Sequence, residues 1–274
     1  MEEERPKRPL IIEGRGLIKD FTVGKKQIRV LKGLNFLISE GEFVMISGPS
    51  GCGKSTLMNI LNGWDGPTEG IIKVDGVNFF ELSENKRAIM LRPRVGMVHQ
   101  AAFWVKSLSV ADNVGIPFLL SGKTKKEARD RANELLQMLG LSQFAHYKPM
   151  DLSGGQQQRI SLIRSLINNP KIILADEPTG NLDSRSSELL MQLFKAINEE
   201  LGRTIVMVTH NLELLPYASK VIFIKDGILT NIEVNRLNKQ ESLYSKDILD
   251  LTSNNFLKED KESEEEERER AQIR

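Results

Sequence analysis

Gly48-Pro49-Ser50-Gly51-Cys52-Gly53-Lys54-Ser55-Thr56 fits the pattern G-x-x-x-x-G-K-[ST]. The apolar run before it, Glu42–Ser47, predicts a strand, and Leu57, Ile60 and Leu61 after it have the spacing of a helix face. A strand, a glycine-rich turn and a helix in that order can curl so that successive backbone N–H groups point inward. Those donors and the helix N-terminus hold phosphate oxygens. Lys54 then reaches the outer phosphates, the Ser55 hydroxyl ligates Mg²⁺, and Thr56 meets an inner phosphate.

Outward from this stretch, short strands are expected at Leu10–Ile12, Gly16–Phe21, Ile28–Phe36 and Glu42–Ser47, broken at Gly24-Lys25-Lys26 and Glu40-Gly41-Glu42. Two more are expected at Gly70–Val74 and Arg94–His99. Residues 101 to about 169 read as mostly helical. Thr124 to Leu139 is the clearest case: Thr124 and Glu127 form a capping box, Ala128, Ala132, Leu135, Leu136 and Leu139 make one apolar face, and Gly140 stops it. A second helix is expected from Gln156 to Asn168. Beyond it the pattern alternates: strand Lys171–Ala175, helix Ser184–Leu201, strand Thr204–Thr209, a short helix, and strand Val221–Lys225. Apolar strands alternating with helices indicate an α/β fold whose mainly parallel sheet is covered on both faces. From about Asn235 the chain turns polar, and Lys258–Arg270 is almost entirely charged, as in a solvated helix or a disordered tail.

The 274 residues are 40% hydrophobic and 27% charged, an ordinary globular balance that excludes a wholly disordered chain. No run approaches the roughly 20 apolar residues of a spanning helix. With 38 Lys and Arg against 37 Asp and Glu, the net charge of +1 argues against a protein that coats nucleic acid. One cysteine cannot form an internal disulfide and fits a reducing compartment. The charged segment Met1–Pro9 has no apolar core behind it, so no secretory signal is expected.

Two further stretches carry chemistry. Ile172-Ile-Leu-Ala-Asp176-Glu177 is an apolar strand ending in two carboxylates, and ligands of open parallel sheets sit at the carboxyl ends of strands. Asp176 is placed to join a Mg²⁺ shell, usually through water, and Glu177 to polarise an attacking water. Alone, such a pair is more often a solvated strand exit; a phosphate loop over a hundred residues upstream changes the weight. Leu152-Ser-Gly-Gly-Gln-Gln-Gln-Arg159 supplies a second helix start. Ser153 can cap the helix, and Gly154 and Gly155 let that helix end approach an anion.

Taken in order, GPSGCGKST, Gln100, LSGGQQQR, ILADE, Asp183 and His210 resemble the nucleotide-binding subunit of an ATP-binding cassette (ABC) transporter, over about residues 10 to 230. The ILADE strand running into Pro178-Thr-Gly-Asn-Leu-Asp183, and Asp112-Asn-Val-Gly-Ile-Pro117, resemble the subfamily of lipoprotein-release, macrolide- or peptide-export and cell-division ATPases. The resemblance implies a P-loop NTPase (RecA-like) core, an N-terminal antiparallel β subdomain and an α-helical subdomain at about 101–155, in a domain spanning 1–234 with a tail at 235–274. It implies a homodimer that pairs head to tail around two ATP with Mg²⁺. Each ATP then lies between the loop Gly48, Pro49, Ser50, Gly51, Cys52, Gly53, Lys54, Ser55 and Thr56 of one copy and Ser153, Gly154, Gly155 and Gln156 of the other. It further implies that Glu177 is the base, that Gln100 contacts Mg²⁺ and the water and senses the membrane partner, and that His210 positions the γ-phosphate and the water. Asp183 would link the two sites at the seam. Residues 101–150 would receive a transmembrane permease-like subunit, placing the chain on the cytoplasmic face of the inner membrane, with no nucleic-acid partner.

Phe21 stands where the family usually has a tyrosine against adenine; it keeps the ring face, and base stacking is worth about 1–3 kcal/mol. Cys52 falls inside the loop, so a thiol reagent there is expected to slow turnover. The rival reading is a soluble cassette ATPase acting on ribosomes or DNA. Such relatives carry two cassettes or a long coiled coil between the positions of Gln100 and Ser153, and this chain has neither. A GTPase reading rests only on Asn238-Lys-Gln-Glu241, which ends in Glu where guanine recognition wants Asp.

Overall fold

A computed structural model of the chain describes residues 8–235. The charged tail and Asn238–Glu241 lie outside the described residues. Ten strands and six α-helices follow in the order β1 (Leu10–Val23), β2 (Lys26–Ser39), β3 (Phe43–Ser47), α1 (Lys54–Leu61), β4 (Glu69–Val74), β5 (Val77–Asn78), α2 (Glu84–Leu91), β6 (Val95–Val98), α3 (Val110–Leu119), α4 (Lys125–Met138), α5 (Gly154–Leu166), β7 (Ile172–Asp176), α6 (Ser184–Leu201), β8 (Thr204–Thr209), β9 (Lys220–Lys225) and β10 (Ile228–Val234). They build two sheets. An antiparallel one runs β2-β1-β4-β5, and a larger one runs β10-β9-β3-β8-β7-β6, parallel except for its edge strand β10. The expected α/β core with a separate antiparallel β unit is present.

Alternation along the central strands explains the layering, since neighbouring side chains point to opposite faces. Val44 and Ile46 of β3, Ile172 and Leu174 of β7, and Val206 and Val208 of β8 share one buried cluster with Leu57, Met58, Ile60 and Leu61 of α1 and with Ile12, Leu17 and Leu31 of the antiparallel sheet. The residues between them, Met45, Ile173, Ala175, Ile205 and Met207, enter a second cluster with α3, α4, α5 and α6. Helix α1 is thus clamped between the two sheets, and each of its fully buried aliphatic side chains contributes about 1.5–3 kcal/mol.

The first two expected strands are one strand, β1, bent by register shifts between Gly14 and Leu17. The gap left between the two expected strands is closed by a bulge in which Gly16 takes φ +58°, which bends a strand without ending it. Residues 101–109 are loop and turn rather than helix, and α5 starts at Gly154, two residues before the expected Gln156. Strand β10 and helix α2 have no counterpart in the sequence reading. Helix α4 carries the expected capping box between Thr124 and Glu127.

Candidate active site

Four neighbouring strands of the larger sheet, β3, β8, β7 and β6, end at one level. Ala175 is paired with Val98, Asp176 with Val208, and Thr209 with Ser47. Each strand therefore delivers a residue of interest just beyond its carboxyl end: Gly48 after β3, Gln100 after β6, Glu177 after β7 and His210 after β8. This edge is where open parallel sheets bind ligands.

The loop Gly48–Gly53 turns tightly into α1. A Cβ on Gly48 would lie 2.0 Å from the Ile224 carbonyl oxygen, and Gly53, in the N-cap position of α1, takes φ +106°. Only glycine fits either place. The first intrahelical bond of α1 is from the Leu57 N–H to the Gly53 carbonyl, so the N–H groups of Lys54, Ser55 and Thr56 have no acceptor within the helix. Lys54 is buried, and its Nζ donates to the carbonyls of Gly48 (2.8 Å) and Pro49 (2.9 Å). Pro49, Ser50, Gly51 and Ser55 are exposed, and Thr56 is half-buried. Cys52 turns inward: its thiol is buried in the cluster around α1, 3.9 Å from Lys54 Nζ. The sequence reading took Cys52 as a handle for a thiol reagent; its burial shields the thiol from one.

Asp176 is half-buried, and its Oδ1 has no hydrogen-bond partner. Burial, then the neighbouring Glu177 charge, push its carboxyl above the usual range, with Lys54 pulling the other way. Glu177 sits at φ +45°, a left-handed backbone rare for a non-glycine residue. Its N–H donates to the Val208 carbonyl (3.0 Å), its own carbonyl accepts from Gly180, and its Oε1 lies 3.2 Å from His210 Nδ1. Gln100 is exposed and lies against Gly180, where a Cβ would come within 2.9 Å of its Nε2. Phe21, at the far end of β1, is 38% exposed, so its ring can take a partner. Lys19 Nζ stands 5.0 Å from the ring centroid, held by Asp65 (2.5 Å) and the Gly66 carbonyl.

The second helix start forms a separate group. Ser153 Oγ accepts from the Gln156 N–H (3.3 Å), and Gln156 Oε1 accepts from the Ser153 N–H (2.9 Å), a complete capping box. Gln156 is buried, while Ser153 and Gly154 are exposed. A Cβ on Gly155 would lie 2.8 Å from Ser186 Oγ, so glycine lets α5 start against the first turn of α6. There Asp183 caps α6, accepting from the Ser186 N–H and hydroxyl at 2.8 Å each. These bonds hold the Asp183 carboxyl below the usual range despite some burial. No hydrogen bond or ion pair among the described residues links 48–56 to 153–156. Within one chain the two anion-ready helix starts stay apart.

Lys19 behind Phe21, Gln158 against the Gln100 carbonyl and Gln157 against the Trp104 indole escaped the sequence reading. The signal for the two glutamines was present: they are polar residues inside a largely buried helix.

Comparison with known proteins agrees with this arrangement. The family model described as ABC transporter matches residues 31–180. An ABC transporter ATP-binding protein of Methanocaldococcus jannaschii is 48% identical over 222 residues, covering 81% of this chain and 99% of its own. The macrolide export ATP-binding/permease protein MacB of Shewanella oneidensis is 42% identical over 225 residues, which are 82% of this chain and 34% of that protein. The dimeric ATP-binding cassette MJ0796 of M. jannaschii, solved in a post-hydrolysis state bound to ADP and Pi, superposes with a TM-score of 0.75 at 40% identity, covering 82% of this chain and 98% of that one. A phosphate loop, an acidic strand end and a capped Ser-Gly-Gly helix start, in a chain this similar to those proteins, make it a member of the ABC transporter family.

Proposed function

We propose that this chain is the ATP-hydrolysing subunit of an ABC-type membrane complex, pairing with a second copy around two ATP and passing the resulting motion to transmembrane partners. The observation that carries this reading is the shared level of Gly48, Gln100, Glu177 and His210 at one sheet edge, with Ser153 held away from it. A terminal phosphate in the loop would meet donors on one side only, and the Ser153 helix start of a second copy supplies the other side.

In this reading the free N–H groups of the loop and Lys54 bind the phosphates, Lys54 exchanging the Gly48 and Pro49 carbonyls for phosphate oxygens. Phe21 stacks on the base. Glu177 accepts a proton from water, and His210 keeps that carboxylate and the terminal phosphate oriented. Asp183 sets the start of α6 at the seam. Hydrolysis needs positioning and charge neutralisation more than covalent chemistry. The oxygen donors available, the Ser55 hydroxyl, the Gln100 amide and the unpartnered Asp176 carboxylate, suit Mg²⁺, a hard ion that keeps several waters and shares phosphate oxygens. Bound there, Mg²⁺ would offset negative charge on the phosphates.

No helix among the described residues is long and apolar enough to cross a membrane. We assign the chain to the cytoplasmic face, against permease-like subunits that meet residues 101–150. Purified protein with ATP and Mg²⁺ tests the reading. The parent should release phosphate, and Glu177→Gln should release little and elute as a nucleotide-bound dimer. A Glu177→Gln protein that stays monomeric with saturating ATP would overturn it.

A further inference from the structure

The loop that carries Gln100 is held by helix α5 rather than by its own strand. Gln158 Nε2 donates to the carbonyls of both His99 (3.0 Å) and Gln100 (2.7 Å). One residue earlier, Gln157 Oε1 accepts from the indole of Trp104 (2.9 Å), while its Nε2 returns to the Leu152 carbonyl at the root of the Ser153 turn. Two turns on, Arg164 donates to the Phe103 carbonyl and lies 4.4 Å from the Trp104 ring centroid. Three side chains of α5 thus grip residues 99–104 along their length. Gln158 is 5% exposed, and its own oxygen finds no partner. A buried amide oxygen left without a partner is a desolvation cost that nothing repays. Leucine would fill the place without that cost, so the residue is not there for packing alone.

We propose that Gln158 is a positioning residue for hydrolysis: by bonding two successive carbonyls it makes the Gln100 loop and the Ser153 helix start move as one body. The consequence follows from where the two ends of α5 point. Its N-terminus faces a second copy's phosphate, and its fifth residue, Gln158, holds the loop serving this copy's own water. A shift of α5 as the second copy closes then carries Gln100 with it, and a load on the exposed Phe103 returns the other way. Neither effect needs the backbone of β6 to move.

The inference rests on the ATPase reading, and its test keeps the two apart. The chain has two tryptophans, and both report on this loop: Trp104 is bonded to Gln157, and Trp64 stacks on His99 at 5.3 Å between centroids. Tryptophan emission therefore reads the loop without turnover. In the parent, ATP with Mg²⁺ should change the emission. In Gln158→Leu, ATP binding measured by equilibrium dialysis should hold within about twofold, while the emission change falls by more than half and kcat falls about tenfold or more at unchanged KM. Ile160→Val, buried on the same helix, controls for loss of helix stability and should keep both signals. Equal emission change and kcat in Gln158→Leu and the parent, equal losses in Ile160→Val, or a parent whose emission ignores nucleotide would each overturn the proposal. A parent that responds in emission but never releases phosphate overturns the ATPase reading instead.

Discussion

His210 Nδ1 stands 3.2 Å from Glu177 Oε1, across the ends of two neighbouring strands. The His210 ring is 60% exposed and the Glu177 side chain 25%, so the histidine forms the solvent wall of the pair. A proton on Nδ1 points at the carboxylate. His210→Ala removes this support and leaves the phosphate loop intact. Steady-state kinetics should show kcat lowered about 10²-fold or more with KM for ATP little changed. A rise in KM with kcat preserved would move His210 from orienting the reaction to binding the nucleotide.

Glu177 also holds a strained backbone. Its φ of +45° costs a non-glycine residue about 1–2 kcal/mol, and the residue precedes Pro178, where the right-handed helical region is already disfavoured. Such outliers persist where surrounding bonds over-determine them, here Glu177 N–H to Val208 and Gly180 N–H to Glu177. Glu177→Gly relieves the strain and removes the carboxylate. The variant should lose hydrolysis while unfolding in urea at a midpoint equal to or above the parent's. A clear drop in midpoint would mean the His210 contact outweighs the strain.

The sequence exposed the parts of this fold whose physics is local. The phosphate loop needs glycines at fixed offsets, α4 announces itself through Thr124 and Glu127, and β3, β7 and β8 are apolar between their ends because both their faces are covered. Helix α2 stayed hidden because only Leu91 is buried, so it has almost no apolar stripe to read. Strand β10 stayed hidden because it is an edge strand with exposed Thr230, Asn231 and Glu233, which resemble the polar tail after it. At the site, residue types were legible but directions were not. Nothing in Gly51-Cys52-Gly53 says that the thiol turns into the core, and nothing in Gln157-Gln158 says that the first holds an indole and the second holds two carbonyls.

Asp183 has a structural duty that can be separated from any role at a subunit seam. It caps α6 through Ser186, and asparagine caps a helix as well as aspartate, whereas alanine does not. Asp183→Ala should lose about 1 kcal/mol in urea unfolding, and Asp183→Asn only a few tenths. Because its bonds depress the folded pKa, the ionised cap contributes stability above the unfolded value near 3.9 and loses it as pH falls through the folded one. The parent's advantage over Asp183→Ala should therefore shrink in acid. If Asp183→Asn matches the parent in stability but hydrolyses ATP with altered cooperativity, the charge acts at the seam.

Asp176 has the opposite sign. Burial, and then the Glu177 charge, raise its folded pKa above the unfolded value of about 3.9, so the folded chain binds a proton more tightly than the unfolded one. Its contribution to stability is then lost as pH climbs through the window between the two values, and at neutral pH the ionised carboxylate is a cost. Asn cannot titrate. Urea midpoints of nucleotide-free Asp176→Asn should meet the parent's near pH 4 and exceed them progressively above it. Mg²⁺ with nucleotide should reverse the order at neutral pH, because a bound cation stabilises the ionised carboxylate, and ligand bound to the folded state raises its stability by mass action. EDTA added with the same nucleotide should restore the variant's advantage. A pair of midpoint curves that stay parallel from pH 4 to pH 8 would show that Asp176 is solvated as an ordinary strand exit, and would remove it from the ion's shell.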